Sequence, residues 1–154
     1  MSEQTKILVV DDDEAVRLSY QRCLRAARCD VEAVLNGEDA LNALEHASFD
    51  VVLLDLRMPG MDGMSVLKAI KTASPRSEVV VITGYPTVES AKEAVRLGAY
   101  DYLAKPVGPA EIINAASGAL NQKKWTLRKE LASSDAETGA ANHRMKMQAQ
   151  ERRR

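Results

Sequence analysis

Asp11-Asp12-Asp13, Asp55, Thr83 and Lys105 are the residues of this 154-residue chain whose types and settings could do chemistry. The aspartate run follows the apolar stretch Ile7 to Val10, Asp55 closes Val51 to Leu54, Thr83 closes Val79 to Ile82, and Lys105-Pro106 follows Tyr102 to Ala104. Carboxylates held within a few ångströms of one another repel, which raises their proton affinity unless a cation neutralises them. Asp12 and Asp55, backed by Asp11, suit a hard divalent ion that takes oxygen ligands and keeps several waters, a description that fits magnesium. No cysteine or histidine is placed to favour a softer metal. Where a metal and the Lys105 ammonium neutralise charge on a phosphoryl group, a carboxylate can attack its phosphorus. A hydroxyl such as that of Thr83 can bind another phosphoryl oxygen. The chemistry implied is formation of an aspartyl-phosphate.

Taken singly, most of these residues have ordinary explanations. Aspartates ahead of a helix serve as N-caps, favoured there by the helix dipole. A threonine at a strand end reflects β-propensity or a cap, and a single lysine is usually a surface residue. Asp55 is harder to dismiss, because a charge beside buried apolar surface is costly unless compensated. What joins the set is the elements that carry it.

Ile7 to Val10, Val51 to Leu54 and Val79 to Ile82 are apolar without alternation, the pattern of strands buried on both faces. Val31 to Val34 and Tyr102 to Ala104 predict strands nearer the edges. Between them apolar residues recur at helical spacing, as in Val16, Tyr20, Cys23, Leu24 and Ala27, or Ile112, Ile113, Ala116, Ala119 and Leu120. Asn36-Gly37, Ser74-Pro75 and Gly98 supply the turn and stop signals. The pattern predicts an α/β fold, a doubly wound, flavodoxin-like (βα)5 unit with a parallel five-stranded sheet. Right-handed crossovers make 2-1-3-4-5 the compact strand order. In a parallel sheet the carboxyl ends share one edge, so Asp11, Asp12, Asp55, Thr83 and Lys105 should converge in one crevice.

The net charge of −1 hides an asymmetry: from Asn121 onward nine Lys/Arg stand against four Asp/Glu, about +5, which leaves about −6 for residues 1–120. We expect residues 1–121 to form the folded domain. Residues 122–154 are expected to form an extension of the fifth helix by two or three turns, through Trp125, Leu127 and Leu131, followed by a basic, partly disordered tail or linker. Its charges are interspersed with Gln, Ala and Ser and lack aromatic partners beyond Trp125, so no direct nucleic-acid binding is expected. The polar start MSEQTK and short apolar runs predict no secretory signal and no membrane span, hence a cytoplasmic protein. Cys23 and Cys29 are expected to be reduced structural thiols.

KILVVDDDEAVR, VVLLDLRMPGMDG, VITG and DYLAKP, in that order and each at a strand end, resemble the receiver domain of bacterial two-component response regulators. The resemblance covers about residues 5–121. It implies a signalling module that catalyses only its own phosphorylation and dephosphorylation. Asp55 is implied as phosphoacceptor and Mg2+ as cofactor, held directly by Asp12 and Asp55, through water by Asp11, and by the backbone carbonyl of Arg57. Lys105 is implied to contact the phosphoryl group, with a cis Lys105-Pro106 bond, and Thr83 and Tyr102 to form the switch pair. A sensor histidine kinase is the implied partner, and the face of the fourth helix, fifth strand and fifth helix is implied to meet partners or a second receiver in a homodimer. Arg57 and Tyr85, each two residues beyond a site residue, are expected to flank the path of a hydrolytic water and to tune the phosphorylated lifetime.

Two rivals share parts of this chemistry. A haloacid dehalogenase-type phosphatase needs an acid two residues after its nucleophile, where this chain has Arg57. A flavin-binding module of the same topology needs a Ser/Thr/Gly-rich phosphate loop after the first strand, where this chain has three acids that would repel phosphate. No helix-turn-helix, cyclase or ATPase region follows residue 121, so the sequence reads equally as a stand-alone receiver or as the amino-terminal part of a longer regulator.

Overall fold

The computed structural model describes the backbone of residues 4–152 and the side chains of residues 4–134. Its elements alternate as β1 (Lys6–Val10), α1 (Glu14–Ala26), β2 (Asp30–Val34), α2 (Gly37–His46), β3 (Val51–Asp55), α3 (Gly63–Ala73), β4 (Glu78–Thr83), α4 (Val88–Arg96), β5 (Asp101–Ala104) and α5 (Pro109–Arg152). All strand pairings are parallel and the order is β2-β1-β3-β4-β5, the topology that the alternation of runs predicts.

Successive strand residues point to opposite faces, and both faces are covered. Ile7, Val9, Val51, Leu53, Val80 and Ile82 pack with Tyr20 and Leu24 of α1 and Ile112, Ala116 and Ala119 of α5. Leu8, Val10, Val52, Leu54, Val79 and Val81 face Ala40 of α2, Val66, Leu67 and Ile70 of α3 and Ala94 of α4. Every residue of β3 is buried, whereas β2 and β5 at the edges are partly exposed. Burial on two sides is why the central strands read as solid apolar runs.

The helix ends follow local chemistry. Asn36 caps α2 by accepting from the Asp39 amide at 2.8 Å. Thr87 and Ser90 form a reciprocal capping box on α4. Gly98 takes φ +99° just past α4, a conformation in which a side chain would be strained. Burial pushes the Cys23 and Cys29 thiols above their ordinary values, which favours the protonated form.

The chain divides into two compact units, Met1–Lys123 and Lys124–Arg154. The helical backbone of α5 runs to Arg152, further than the apolar spacing predicts. Ala, Gln, Met, Lys, Arg and Glu make up most of that stretch and favour helix whatever their periodicity. Among the described residues no helix is long and apolar enough to cross a membrane.

Candidate functional site

The three aspartates after β1 divide their work. Asp13 is the N-cap of α1, its carboxylate accepting from the amides of Ala15 at 2.9 Å and Val16 at 3.3 Å. Capping is therefore the right account of Asp13 alone. Asp11 is 2% exposed and turned inward; its Oδ1 accepts from the Asp13 amide at 2.9 Å and its Oδ2 from Lys105 Nζ at 2.9 Å. Asp12 lies between them, exposed to solvent.

Asp55 is the last residue of β3 and is 6% exposed. Its Oδ1 accepts from the Arg57 amide at 3.2 Å, and its Oδ2 lies 3.4 Å from Lys105 Nζ. One carboxylate oxygen from each of Asp11, Asp12 and Asp55 falls within 4.8 Å of the others. Thr83 ends β4 on the neighbouring strand, where Asp55 pairs with Ile82. It is buried, and its hydroxyl oxygen accepts from the Tyr85 amide at 3.1 Å, leaving its own proton available to a ligand. Lys105 is drawn over the strand ends by its amide, which donates to the Thr83 carbonyl at 2.8 Å. The Lys105-Pro106 bond is cis. The residues singled out in the sequence thus converge at one sheet edge, for the topological reason anticipated.

Four further residues, Arg57, Tyr85, Tyr102 and Arg17, make contacts next to these elements. The Arg57 guanidinium stacks 3.8 Å from the centroid of the exposed Tyr85 ring, so the side chains two residues past Asp55 and Thr83 touch. Tyr102 of β5 is half-buried, and its hydroxyl accepts from the Thr87 amide at 3.3 Å and shares a hydrogen bond with Ser90 Oγ. The tyrosine is thereby tied to the cap of α4. Nothing in the sequence indicated this tie. Arg17, also passed over, donates from Nη1 to the Asp11 carbonyl at 2.7 Å. Its one sequence signal was a cation in the first turn of a helix, where the dipole disfavours positive charge.

The family model for the response regulator receiver domain matches residues 7–117. The chain belongs to that family. Among relatives of this receiver, the DNA-binding transcriptional regulator NtrC of Escherichia coli K12 is 37% identical over 115 residues, 75% of this chain and 24% of that protein. The transcriptional regulatory protein ZraR of Klebsiella oxytoca is 45% identical over 105 residues, 68% of this chain and 24% of that one. The receiver therefore spans about a quarter of the length of these relatives. A CheY-like receiver domain structure from Methanospirillum hungatei JF-1 superposes with a TM-score of 0.78 at 27% identity, covering 80% of this chain and 99% of that one. The phosphatase and flavin readings receive no support. Receiver domains are signalling modules that interact with histidine kinases and bind Mg2+ at an acidic cluster, and Asp11, Asp12 and Asp55 form such a cluster here.

The donor set fits that ion. Three hard carboxylates, one of them open to solvent, can supply oxygen ligands while leaving room for water. Burial, with a further contribution from the Asp11 charge, raises the Asp55 carboxyl above its ordinary value of 3.8, against the opposing pull of the Arg57 amide and Lys105. Burial alone would lower the Lys105 ammonium, but its bond to Asp11 and the charges of Asp11 and Asp55 outweigh that and hold it above its ordinary value. Lys105 stays charged at neutral pH. A cation held by this cluster would compete with the proton for Asp55, so Mg2+ affinity should fall as pH is lowered through the raised Asp55 value. Mg2+ titrations of the metal-free protein between neutral and mildly acid pH check this. An affinity that stays flat until the ordinary aspartate range contradicts the role of burial.

Proposed function

We propose that this receiver is switched by phosphorylation of Asp55, with the phosphoryl group taken from a sensor histidine kinase in the presence of Mg2+. The observation that carries the reading is Asp55 itself. It is a buried carboxylate of raised proton affinity, within 4.8 Å of two other carboxylates and 3.4 Å from a charged lysine. Asp12 and Asp55 would hold the ion directly, Asp11 through water, and the Arg57 carbonyl would add a fourth oxygen. When bound, the ion neutralises phosphoryl charge. A carboxylate oxygen of Asp55 forms the new bond to phosphorus while the bond from phosphorus to the donor imidazole nitrogen breaks and that nitrogen regains its electron pair. Lys105 holds one phosphoryl oxygen and Thr83 donates to another. Hydrolysis of the same acyl phosphate reverses the state, and the chain catalyses no other reaction.

The switch follows from the Thr83 hydroxyl. A bond from it to a phosphoryl oxygen draws its loop inward and favours one of two arrangements. Tyr102 then exchanges its tie to Thr87 and Ser90 for the space vacated beside Thr83. This reshapes the surface of α4, β5 and α5, where Val88 and Val95 are exposed seven residues apart on one side of α4. That surface serves as the docking face for partners or for a second receiver in a homodimer. Residues 122–154 act as tail or linker beyond the receiver boundary at residue 121. We assign no direct nucleic-acid contact to this chain. The regulators it resembles are transcriptional, so an output of that kind, carried by a domain or partner beyond the receiver, is the natural destination of the signal in the cytoplasm.

Arg57 and Tyr85 extend the reading to lifetime. They stack on each other two residues beyond Asp55 and Thr83, and in this reading the pair would screen phosphorylated Asp55 from a hydrolytic water. Tyr85→Ala removes both the ring and the partner that orders Arg57, and should shorten the phosphorylated lifetime severalfold. A hydrolysis assay reads this directly, and an unchanged or longer lifetime sinks it. The function as a whole is tested by incubating the chain with acetyl phosphate and Mg2+ and weighing it intact. One phosphate-sized gain that requires the metal supports the proposal, and none under conditions that load another receiver overturns it.

A further inference from the structure

We propose that Arg17 is a positioning residue for the metal-facing carboxylate of Asp12, acting through the peptide unit between Asp11 and Asp12. The inference rests on the reading of the acidic cluster as a Mg2+ site. Asp11 and Asp55 are anchored by their own carboxylates, to the Asp13 amide and Lys105 in one case and to the Arg57 amide and Lys105 in the other. Among the described residues Asp12 has no such side-chain anchor. Its aim depends on its backbone, which lies in the irregular turn between β1 and α1.

Three bonds triangulate that turn. The Asp11 amide donates to the Val34 carbonyl at 3.2 Å, the Asp13 amide donates to Asp11 Oδ1 at 2.9 Å, and Arg17 Nη1 donates to the Asp11 carbonyl at 2.7 Å. The Asp11 carbonyl and the Asp12 amide share one rigid plane. Holding the oxygen of that plane therefore sets ψ of Asp11, and with the Asp13 amide held on Asp11 Oδ1 the two bonds together restrain φ of Asp12 and the direction in which its side chain leaves the backbone. Arg17 is itself placed for this task, since its amide donates to the Asp13 carbonyl at 3.0 Å and its half-buried stem turns back along the first turn of α1. A cation at that end of a helix gains nothing from the dipole, so helix stability does not explain its presence.

Charge and geometry make opposite predictions, which allows a clean test. A guanidinium near a dication repels it, so if Arg17 acted only through its charge, removing it would tighten Mg2+ binding. If it positions Asp12, removing it weakens binding. We expect an NMR titration of the metal-free chain with MgCl2 to give a Kd about tenfold weaker for Arg17→Met, the scale at which partners of metal ligands act. Arg17→Lys, which keeps the charge and one donor, should fall between that variant and wild type. In an Asp12→Asn background, Arg17→Met should cause almost no further loss, because the group it positions is gone. An equal or tighter Kd for Arg17→Met overturns the inference, as does a full further loss in the Asp12→Asn background. Should Arg17→Met fail to fold, an unweakened Kd for Arg17→Lys does the same. Wild type that takes up no Mg2+ overturns the underlying reading of the site, an outcome separate from all of these.

Discussion

Asp55→Asn is expected to abolish the phosphate-sized mass gain produced by acetyl phosphate and Mg2+, while leaving the fold intact. The amide has almost the shape of the carboxylate but lacks the anionic oxygen that attacks phosphorus, so the loss should be complete rather than partial. Alternative acceptors are poorly placed. Asp11 is buried under Lys105 and the Asp13 amide, and Asp12 stands at the exposed rim. A companion effect separates chemistry from misfolding. Because the Asp55 carboxyl is raised in the folded protein, its contribution to stability is full below its ordinary value and is lost as pH rises through the raised one. As pH rises in the absence of metal the carboxyl therefore works against the fold, and asparagine should raise the melting temperature. A variant that melts earlier than wild type in metal-free buffer, or one that still gains phosphate, contradicts the assigned role.

Gly63→Ala should be the most damaging conservative change in the domain. Gly63 opens α3, and a Cβ built there would lie 2.4 Å from the Leu56 carbonyl oxygen, 2.5 Å from its Cα and 2.7 Å from its carbonyl carbon. All three are backbone atoms, which cannot swing aside as a side chain can. Relief requires α3 or the segment after Asp55 to move. That places the cost near the upper end for overpacking, about 3 kcal/mol, or roughly 10 °C in melting temperature for a domain of this size. Gly37 offers an instructive contrast. Its added Cβ would meet Val66 Cγ2 at 2.5 Å, a side-chain methyl rather than backbone. Gly84, with nothing within 4 Å, supplies the control. Because Leu56 and Arg57 directly follow Asp55, Gly63→Ala should also weaken Mg2+ binding. Thermal unfolding of the Gly63→Ala and Gly84→Ala variants checks the ranking, and equal midpoints would remove the argument.

Much of this protein could be read from its residues in order. The unalternated runs of β1, β3 and β4 are apolar because both sheet faces are covered, and parallel strands covered on both faces must deliver their carboxyl ends to one edge. From that alone Asp11, Asp12, Asp55, Thr83 and Lys105 could be gathered into a single crevice, since strand direction is a local property with a global consequence. The length of α5 was less legible, because apolar period reports packing against a core and falls silent where a helix rests on intrinsic propensity.

Tertiary structure decided what depends on side-chain direction. Three aspartates in a row are chemically identical as letters, yet Asp13 caps α1, Asp11 turns inward to Lys105 and Asp12 remains exposed, because consecutive side chains leave a turning backbone in different directions. The stacking of Arg57 on Tyr85, the tie of Tyr102 to Thr87 and Ser90, and the bond of Arg17 to the Asp11 carbonyl each join an element to a neighbour through a contact a few ångströms long. Such contacts leave no period or spacing in the chain. They arise only when the crossovers bring the segments together.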